Sequence, residues 1–383
     1  MTGRCIVLLA ACAALLAAGL STGAPLYYAL SAAAGAIIVA SLFSAACALL
    51  SLRVKAQLPR LHAQRGENVS LRLKIRHAGF LPVAALELTL ISAGGAEVYD
   101  VEGSPFRWHA QSFDIPCPHR GVYSAGVQSA AAADVFGLFS LRRKITDCMF
   151  TVEVAPRAYR TEAMELGAGE TGPEAPNRSA EDDSSPSGIR EWKDGDELKK
   201  IHWKLSMRRR ELVVRTYEES AKPDFLILMD LSPIGALRSQ EMAIEDAVCE
   251  AAASAAMAHL SAGYPVRMPM SGSRPVECSG RSQQDLPRFI DALTTVQFDC
   301  AYPFEQLLAV EMRRMQRTGG AALITPRLTA RTADFAMQMR RSGLRVRLNW
   351  ITESRGGDAN EIVARLSLSG VEVVRINPYA AAR

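Results

Sequence analysis

The sequence predicts a membrane-anchored α+β chain in three parts: two N-terminal transmembrane helices, an antiparallel β-sandwich, and an α/β doubly wound domain. Three observations carry this reading. Two uncharged apolar stretches, Cys5–Leu20 and Leu26–Leu52, open the chain. Apolar and polar residues then alternate in short runs as far as Pro156, the period of half-buried strands. Beyond Asp224, strand-like runs take turns with helical ones.

Each apolar stretch can cross a hydrocarbon core of about 30 Å, the first one barely. The connection Ser21–Pro25 is short and uncharged, while Arg4 precedes the pair and Arg53, Lys55 and Arg60 follow it. Positive charge on both flanks predicts a hairpin over residues 1–56, multi-pass in the cell membrane, with the soluble body in the cytoplasm. Tyr27 and Tyr28 stand near the loop, where an interfacial aromatic belt would place them. Two rivals are a cleaved signal peptide and a lipoprotein box at Leu9-Ala10-Ala11-Cys12. The apolar run before Cys12 is short for the second, and the later stretch would still stop transfer.

Val69, Leu71, Leu73 and Ile75 alternate with polar residues, as do Leu86, Leu88 and Leu90, and Phe150, Val152 and Val154. Gly66, Gly79-Phe80-Leu81-Pro82 and Gly94-Gly95 punctuate the runs as turns. No long amphipathic helix is written between Gln57 and Pro156, so residues 57–160 read as a small Ig-like β-sandwich. His119–Tyr123 and Asp134–Phe139 carry turn glycines, with Phe136 and Phe139 as expected core anchors. Residues 161–188, rich in Gly, Pro, Ser and acids, read as a linker.

A dense motif follows and opens the last part, 189–383. Asp194 and Glu197 can cap a helix whose apolar stripe is Leu198, Ile201 and Leu205; Leu212–Tyr217 reads as a strand. Trp203, a large aromatic inside that segment, is expected in the core. Arg190, Asp196, His202, Lys204 and Arg215 form either a buried polar network or a partner surface. One His without a clear nucleophile is thin material for catalysis.

The run Arg190, Gly195-Asp196, Ile201-His202-Trp203-Lys204, Ser206 and Glu211–Arg215 resembles the signature of the domain of unknown function 58 family. His119–Tyr123, Asp134–Phe139 and the two-helix N-terminus resemble the same family's layout. Arg209-Arg210 stands where the family often has a small residue. The resemblance implies a MoxR-type AAA+ ATPase as partner, in assembly or maturation of envelope proteins. It also marks Arg190, Gly195, Asp196, His202, Trp203, Lys204 and Arg215 as structural or partner-binding residues.

Asp224–Asp230 reads as a buried strand ending in an acid, followed by an Ala-rich helix at about Gln240–Ala262. Further strands are expected at Val266–Met270, Ala321–Thr325, Val346–Ile351 and Val371–Ile376. Helices are expected at Gln283–Leu293, Phe304–Arg317, Ala330–Arg341 and Ala359–Leu368. Asp230-Leu231-Ser232 resembles the start of the metal-ion-dependent adhesion site of von Willebrand factor A domains. Ile234 and Pro326 depart from that pattern at two positions where ligands would stand, so at most weak Mg²⁺ binding by Asp230 and Ser232 is expected.

A net charge of +4 from 44 basic and 40 acidic residues argues against a dedicated nucleic-acid binder. The eight cysteines show no CxxC spacing, so neither a zinc site nor a disulfide framework is written. No Gly-x-x-x-x-Gly-Lys loop occurs, and any ATP chemistry must come from a partner. The expectation is a membrane-anchored interaction or assembly protein, not an enzyme and without a cofactor. The alternatives are a metal-dependent hydrolase at the Asp230 strand end and a nucleic-acid binder through Lys199–Arg210.

Overall fold

The computed structural model describes residues 3–77, 85–101, 107–134, 136–166, 186–193, 201–217, 222–315, 317–353 and 359–379. The chain divides into two compact units, Met1–Arg157 with Leu293–Thr295, and Ala158–Ala292 with Val296–Arg383. It is a mixed α/β protein with several sheets. All eight cysteines are free.

The first unit opens with α1 (Gly3–Thr22) and α2 (Pro25–Ser51), each long and apolar enough to cross a membrane. Gly23 makes the turn between them at φ 69°. Strands β1 (Arg53–Gln57), β2 (His62–Gln64), β3 (Asn68–Arg76), β4 (Ala85–Ser92), β5 (Gly95–Val101), β6 (His109–Pro116), β7 (Gly121–Ala133), β8 (Ser140–Lys144) and β9 (Met149–Ala155) follow. They form a three-stranded sheet, β1-β3-β6, and a second sheet, β2-β9-β7-β4-β5, with β8 also paired to β7. Leu71, Leu73 and Ile75 of the first share a core with Leu88, Val127, Ala130 and Val154 of the second. The period-two reading of β3, β4 and β9 holds because one face of each strand meets that core. Ala48, Leu49 and Leu52 at the end of α2 join it too. The predicted turn at 79–82 lies outside the described residues.

Gly126 in β7 sits at φ 147°, and a Cβ there would lie 2.0 Å from the Cys148 carbonyl oxygen. Just beyond it, the register against β4 slips by one residue, from Thr89↔Ser129 to Leu90↔Val127.

The second unit contains β10 (Pro186–Glu191), α3 (Trp203–Arg209) and β11 (Val213–Tyr217), then β12 (Asp224–Met229), α4 (Arg238–Ser261), β13 (Val266–Met270), β14 (Val276–Gly280) and α5 (Leu286–Thr295) up to Ala292. It ends with α6 (Phe304–Arg314), β15 (Thr318–Thr325), α7 (Ala330–Arg341), β16 (Arg345–Ile351), α8 (Ala359–Leu368) and β17 (Glu372–Ile376). The main sheet runs β14-β13-β12-β15-β16-β17, parallel except for the antiparallel edge strand β14. Phe225 to Met229 are all buried, as a central parallel strand covered on both faces requires. Leu226 and Leu228 pack with Leu308 of α6, Ala333 and Ala336 of α7 and Leu366 of α8. The helices and parallel strands match the sequence reading closely; β14 and β10 were not foreseen.

Residues 161–166, which the sequence assigns to a linker, belong to this unit. Tyr159 N donates to Ser254 Oγ at 2.9 Å and Met164 N to His259 Nε2 at 3.1 Å. Arg347 Nη1 donates to the Glu162 carbonyl at 2.9 Å. Leu166 fills the space that a Cβ at Gly320 would need, 2.5 Å away. His259 is fully buried and stacks on Phe225 with ring centroids 3.4 Å apart. Its Nδ1–H donates to the Ala255 carbonyl at 2.8 Å, so Nε2 keeps the lone pair that Met164 N needs. Burial pushes its pKa down to about 4; the Ala255 bond opposes this and the Arg347 charge adds to it.

Gly126→Ala is expected to lower stability by about 2 kcal/mol or more, because backbone must move. Gly66→Ala, at φ 83° with open space around it, should cost only about 1 kcal/mol. Thermal melts of the full chain in detergent would order them. His259 is neutral when folded, and the unfolded chain takes up its proton near pH 6.5. Its contribution, about 3 kcal/mol, is therefore present above pH 6.5 and lost as pH falls towards 4. Melts at pH 7, 5.5 and 4.5 should show a shallower acid slope for His259→Gln than for wild type.

Candidate functional site

Two places carry the residues the sequence singles out. The first is the motif around α3. Strands β10 and β11 pair antiparallel with Ile189 opposite Arg215 and Arg190 opposite Val214. Arg190 and Arg215 thus stand one register step apart on one two-stranded ribbon. Gly195, Asp196 and the expected cap residues Asp194 and Glu197 lie outside the described residues.

Ile201 is buried and precedes the helix instead of lying on it. The helix starts at Trp203, capped by His202, whose Nδ1 accepts from Leu205 N at 3.3 Å. The His202 backbone N donates to the Val213 carbonyl at 2.8 Å. Buried Ser206 accepts from Val213 N at 2.9 Å through its hydroxyl. These bonds tie both ends of the turn to β11. The helix stops because Arg210 turns left-handed at φ 58°, the only positive-φ residue other than glycine among the described residues. Arg210 occupies the place where the resemblance led to a small residue.

One expectation fails here, and one alternative drops out. Trp203 is 59% exposed and is not a core aromatic. Lys204 is exposed, which leaves it the partner-surface alternative and not the buried network. The capping geometry explains both: once His202 caps the turn and Ser206 faces β11, positions 203, 204 and 207 face away. Trp203 and Met207, four residues apart on one helix face, are both exposed.

The second place is the end of β12. In the main sheet the chain goes from β12 to one side, β13, and later returns to the other, β15, so the carboxyl ends of β12 and β15 bound a switch point. Asp230 stands there, only 2% exposed. Its Oδ1 accepts from Ser232 N at 3.1 Å and from Ser232 Oγ at 2.7 Å. Its Oδ2 accepts from Thr325 Oγ1 at 3.0 Å. Arg327 Nη2 lies 3.1 Å from Oδ1 and 3.3 Å from Oδ2. The same guanidinium reaches the carbonyls of Pro233 and Ser232 at 3.2 and 3.3 Å.

This arrangement bears on a metal ion. Mg²⁺ needs oxygens with free lone pairs, and a cation held on the same carboxylate competes with it for them. Both Asp230 oxygens are engaged by donors, and Arg327 brings a fixed positive charge to within hydrogen-bond distance. Ile234 and Pro326 supply no ligand. Among the described residues, no three His, Cys, Asp or Glu side chains converge. The residues present do not fit a resident divalent cation; they fit an internal ion pair. Arg327 was not foreseen. The signal was one position past Pro326, on the strand that the parallel order sets beside β12.

An apolar recess of about 360 Å³ adjoins Ser232 and is lined by Leu231, Cys300, Tyr302, Leu307 and Val310 among others. Its lining carries a thiol, Cys300, and the hydroxyls of Ser232, Ser271 and Tyr302, but no His, Asp or Glu that could act on them as a general base. Chemically the place can receive an apolar side chain, beside a guanidinium whose side chain is 45% exposed.

Residues 188–352 match the family described as "Protein of unknown function DUF58". No curated protein matches the chain. Two solved structures are similar at a low level. The CARDB domain of a Pyrococcus furiosus protein, solved with di-metal ions, is 13% identical over 27% of this chain and 85% of that one, with a TM-score of 0.20. Cwp6 from Clostridium difficile is 8% identical over 85% of this chain, with a TM-score of 0.19; the match spans 53% of that protein.

Titration calorimetry of the full chain with Mn²⁺ or Mg²⁺ is expected to show no site tighter than about 10 μM. Arg327→Ala should lower stability by about 1–3 kcal/mol, since a buried carboxylate loses a half-exposed partner. A tighter site in wild type, abolished by Asp230→Ala, would mean that Arg327 yields to metal.

Proposed function

We propose that this chain is a membrane-anchored interaction protein of a bacterial inner membrane. In this reading α1 and α2 form a transmembrane hairpin, and the body lies in the cytoplasm. The two sheets of the first unit act as a β-sandwich and the second unit as a von Willebrand factor A-like domain. Support for the last point is the strand order, which is doubly wound (3-2-1-4-5-6) with the third strand reversed. The partner, on the family resemblance, is a MoxR-type AAA+ ATPase.

The observation that carries the reading is the exposed aromatic in the matched motif. A Trp held 59% exposed on a helix that His202 and Ser206 fix in place is preorganised for contact. Tryptophan is the residue type most enriched among the side chains that dominate binding energy at interfaces. Arg327 and the recess beside Ser232 would suit a partner segment that presents an apolar side chain next to an acid. The hydrolase reading has less support, because Asp230 is spent on internal donors. A nucleic-acid reading rests on Lys199–Arg210 alone, with Glu211 directly after it.

Trp203→Ala is expected to leave the melting temperature nearly unchanged, as a surface substitution does. Affinity for the purified ATPase should fall by about thirtyfold, the loss of a dominant contact. Surface plasmon resonance with the full chain in detergent measures it. Unchanged affinity would remove α3 from the interface; no binding by wild type would remove the partner.

A further inference from the structure

The turn between β7 and β8 carries a contact with the hairpin that the function above does not use. Asp134 is almost fully buried. Its carboxylate accepts from the backbone N of Phe136 at 3.0 Å and of Phe139 at 2.7 Å, and from the Ser41 hydroxyl in α2. Gly137 turns left-handed at φ 66°, and a Cβ there would lie 3.3 Å from Arg4 Nη1. Leu138 and Phe139 pack with Cys5 and Leu8 of α1 and Ile38 and Ala45 of α2. The turn is therefore seated on the side of both helices.

Its position along the helices sets its depth. Pro25 to Ser41 is sixteen steps, about 24 Å of helix. A hydrocarbon core of about 30 Å that starts at the hairpin loop therefore ends about one turn beyond Ser41, near Ala45. The surface agrees: Ile6, Val7, Leu42 and Phe43 are large apolar residues left uncovered at the level of the turn. Phe136, expected in the core, is instead 57% exposed. The turn bonds its backbone N inward, and its ring stays outside the Leu138–Phe139 cluster. Arg4, Arg143 and Lys144 stand exposed nearby in sequence or space, with Arg143 reaching the Leu49 carbonyl.

We propose that the Asp134 turn is a third membrane contact: Phe136 inserts at the cytoplasmic boundary of the bilayer, and the basic residues beside it meet anionic phospholipid headgroups. An aromatic ring at the apolar boundary with cations at headgroup level is the usual division of labour there. Asp134 itself takes no part in lipid binding; buried and saturated, it fixes the turn so that Phe136 is presented. This inference rests on the hairpin being transmembrane.

The test uses the full chain in vesicles of three parts phosphatidylcholine to one part phosphatidylglycerol. Phe136→Trp adds an emission to that of Trp108, Trp192, Trp203 and Trp350, obtained by subtracting wild type. The added emission should be blue-shifted and quenched at least twofold by lipids brominated at acyl carbons 6 and 7. p-Cyanophenylalanine at 136 reports independently, through its nitrile stretch, whether the ring sits in an apolar or an aqueous environment, in case tryptophan disturbs the turn. Alkaline carbonate extraction of the same vesicles separates the two claims. A chain retained in the membrane whose residue 136 is unquenched overturns the inference alone, whether that ring meets water or a second copy. A chain that is extracted overturns the transmembrane hairpin and the inference with it.

Discussion

A carboxylate taken out of water must be matched in full, and this chain meets that constraint with short-range donors. At Asp230, the requirement recruits the hydroxyls of Ser232 and Thr325 and the guanidinium of Arg327. Those bonds close the crevice where the main sheet changes direction and join the ends of β12 and β15. At Asp134 the same requirement recruits two backbone amides and the Ser41 hydroxyl, and folds the β7–β8 turn around them. In each case the acid organises its surroundings and is unavailable for chemistry. His259 follows the same logic with the opposite charge: buried, it is kept neutral and both ring nitrogens are used.

The consequence is that the ionisable groups at these three places are spent on shape. The strand end that resembles a metal-dependent adhesion site carries its own cation, covalently part of the chain. Adhesion through a shared metal would let a partner's carboxylate complete the coordination. With Arg327 in that place, a partner's acid can meet only the guanidinium edge that Asp230 leaves free. Under the proposed function, binding by such a surface would respond to ionic strength and not to divalent cation. The exposed Trp203–Met207 face offers the apolar contact that a salt-sensitive contact lacks.

Much of this was legible in sequence because it is periodic. The two uncharged stretches gave both long helices, alternation gave β3, β4 and β9, and the recurring strand–helix pattern gave the parallel sheet almost to the residue. Single aromatics were read less well. Nothing local distinguishes Trp203 or Phe136 from a core residue; His202 capping one turn and Asp134 bonding inside the other decide which way each ring faces. Arg327 was hidden because the resembling pattern places a ligand at Pro326, one position earlier, and no local pattern marks a cation that will meet a carboxylate on another strand. Residues 161–166 looked like linker because Met164 and Leu166 carry no period, yet they pack through one ring nitrogen and two glycines.

The central claim is that Asp230 is neutralised by Arg327 and not by a metal ion. A double-mutant cycle of Asp230→Asn and Arg327→Gln tests it, followed by thermal melting of the full chain with and without 5 mM MgCl₂, a concentration that is about a saturating one for a site of millimolar strength or tighter. Each single variant should be less stable than wild type, and the double variant less damaged than the sum, by a coupling of about 1–2 kcal/mol that Mg²⁺ leaves unchanged. Additive losses, with a stabilisation by Mg²⁺ in wild type that Asp230→Asn removes, would contradict it.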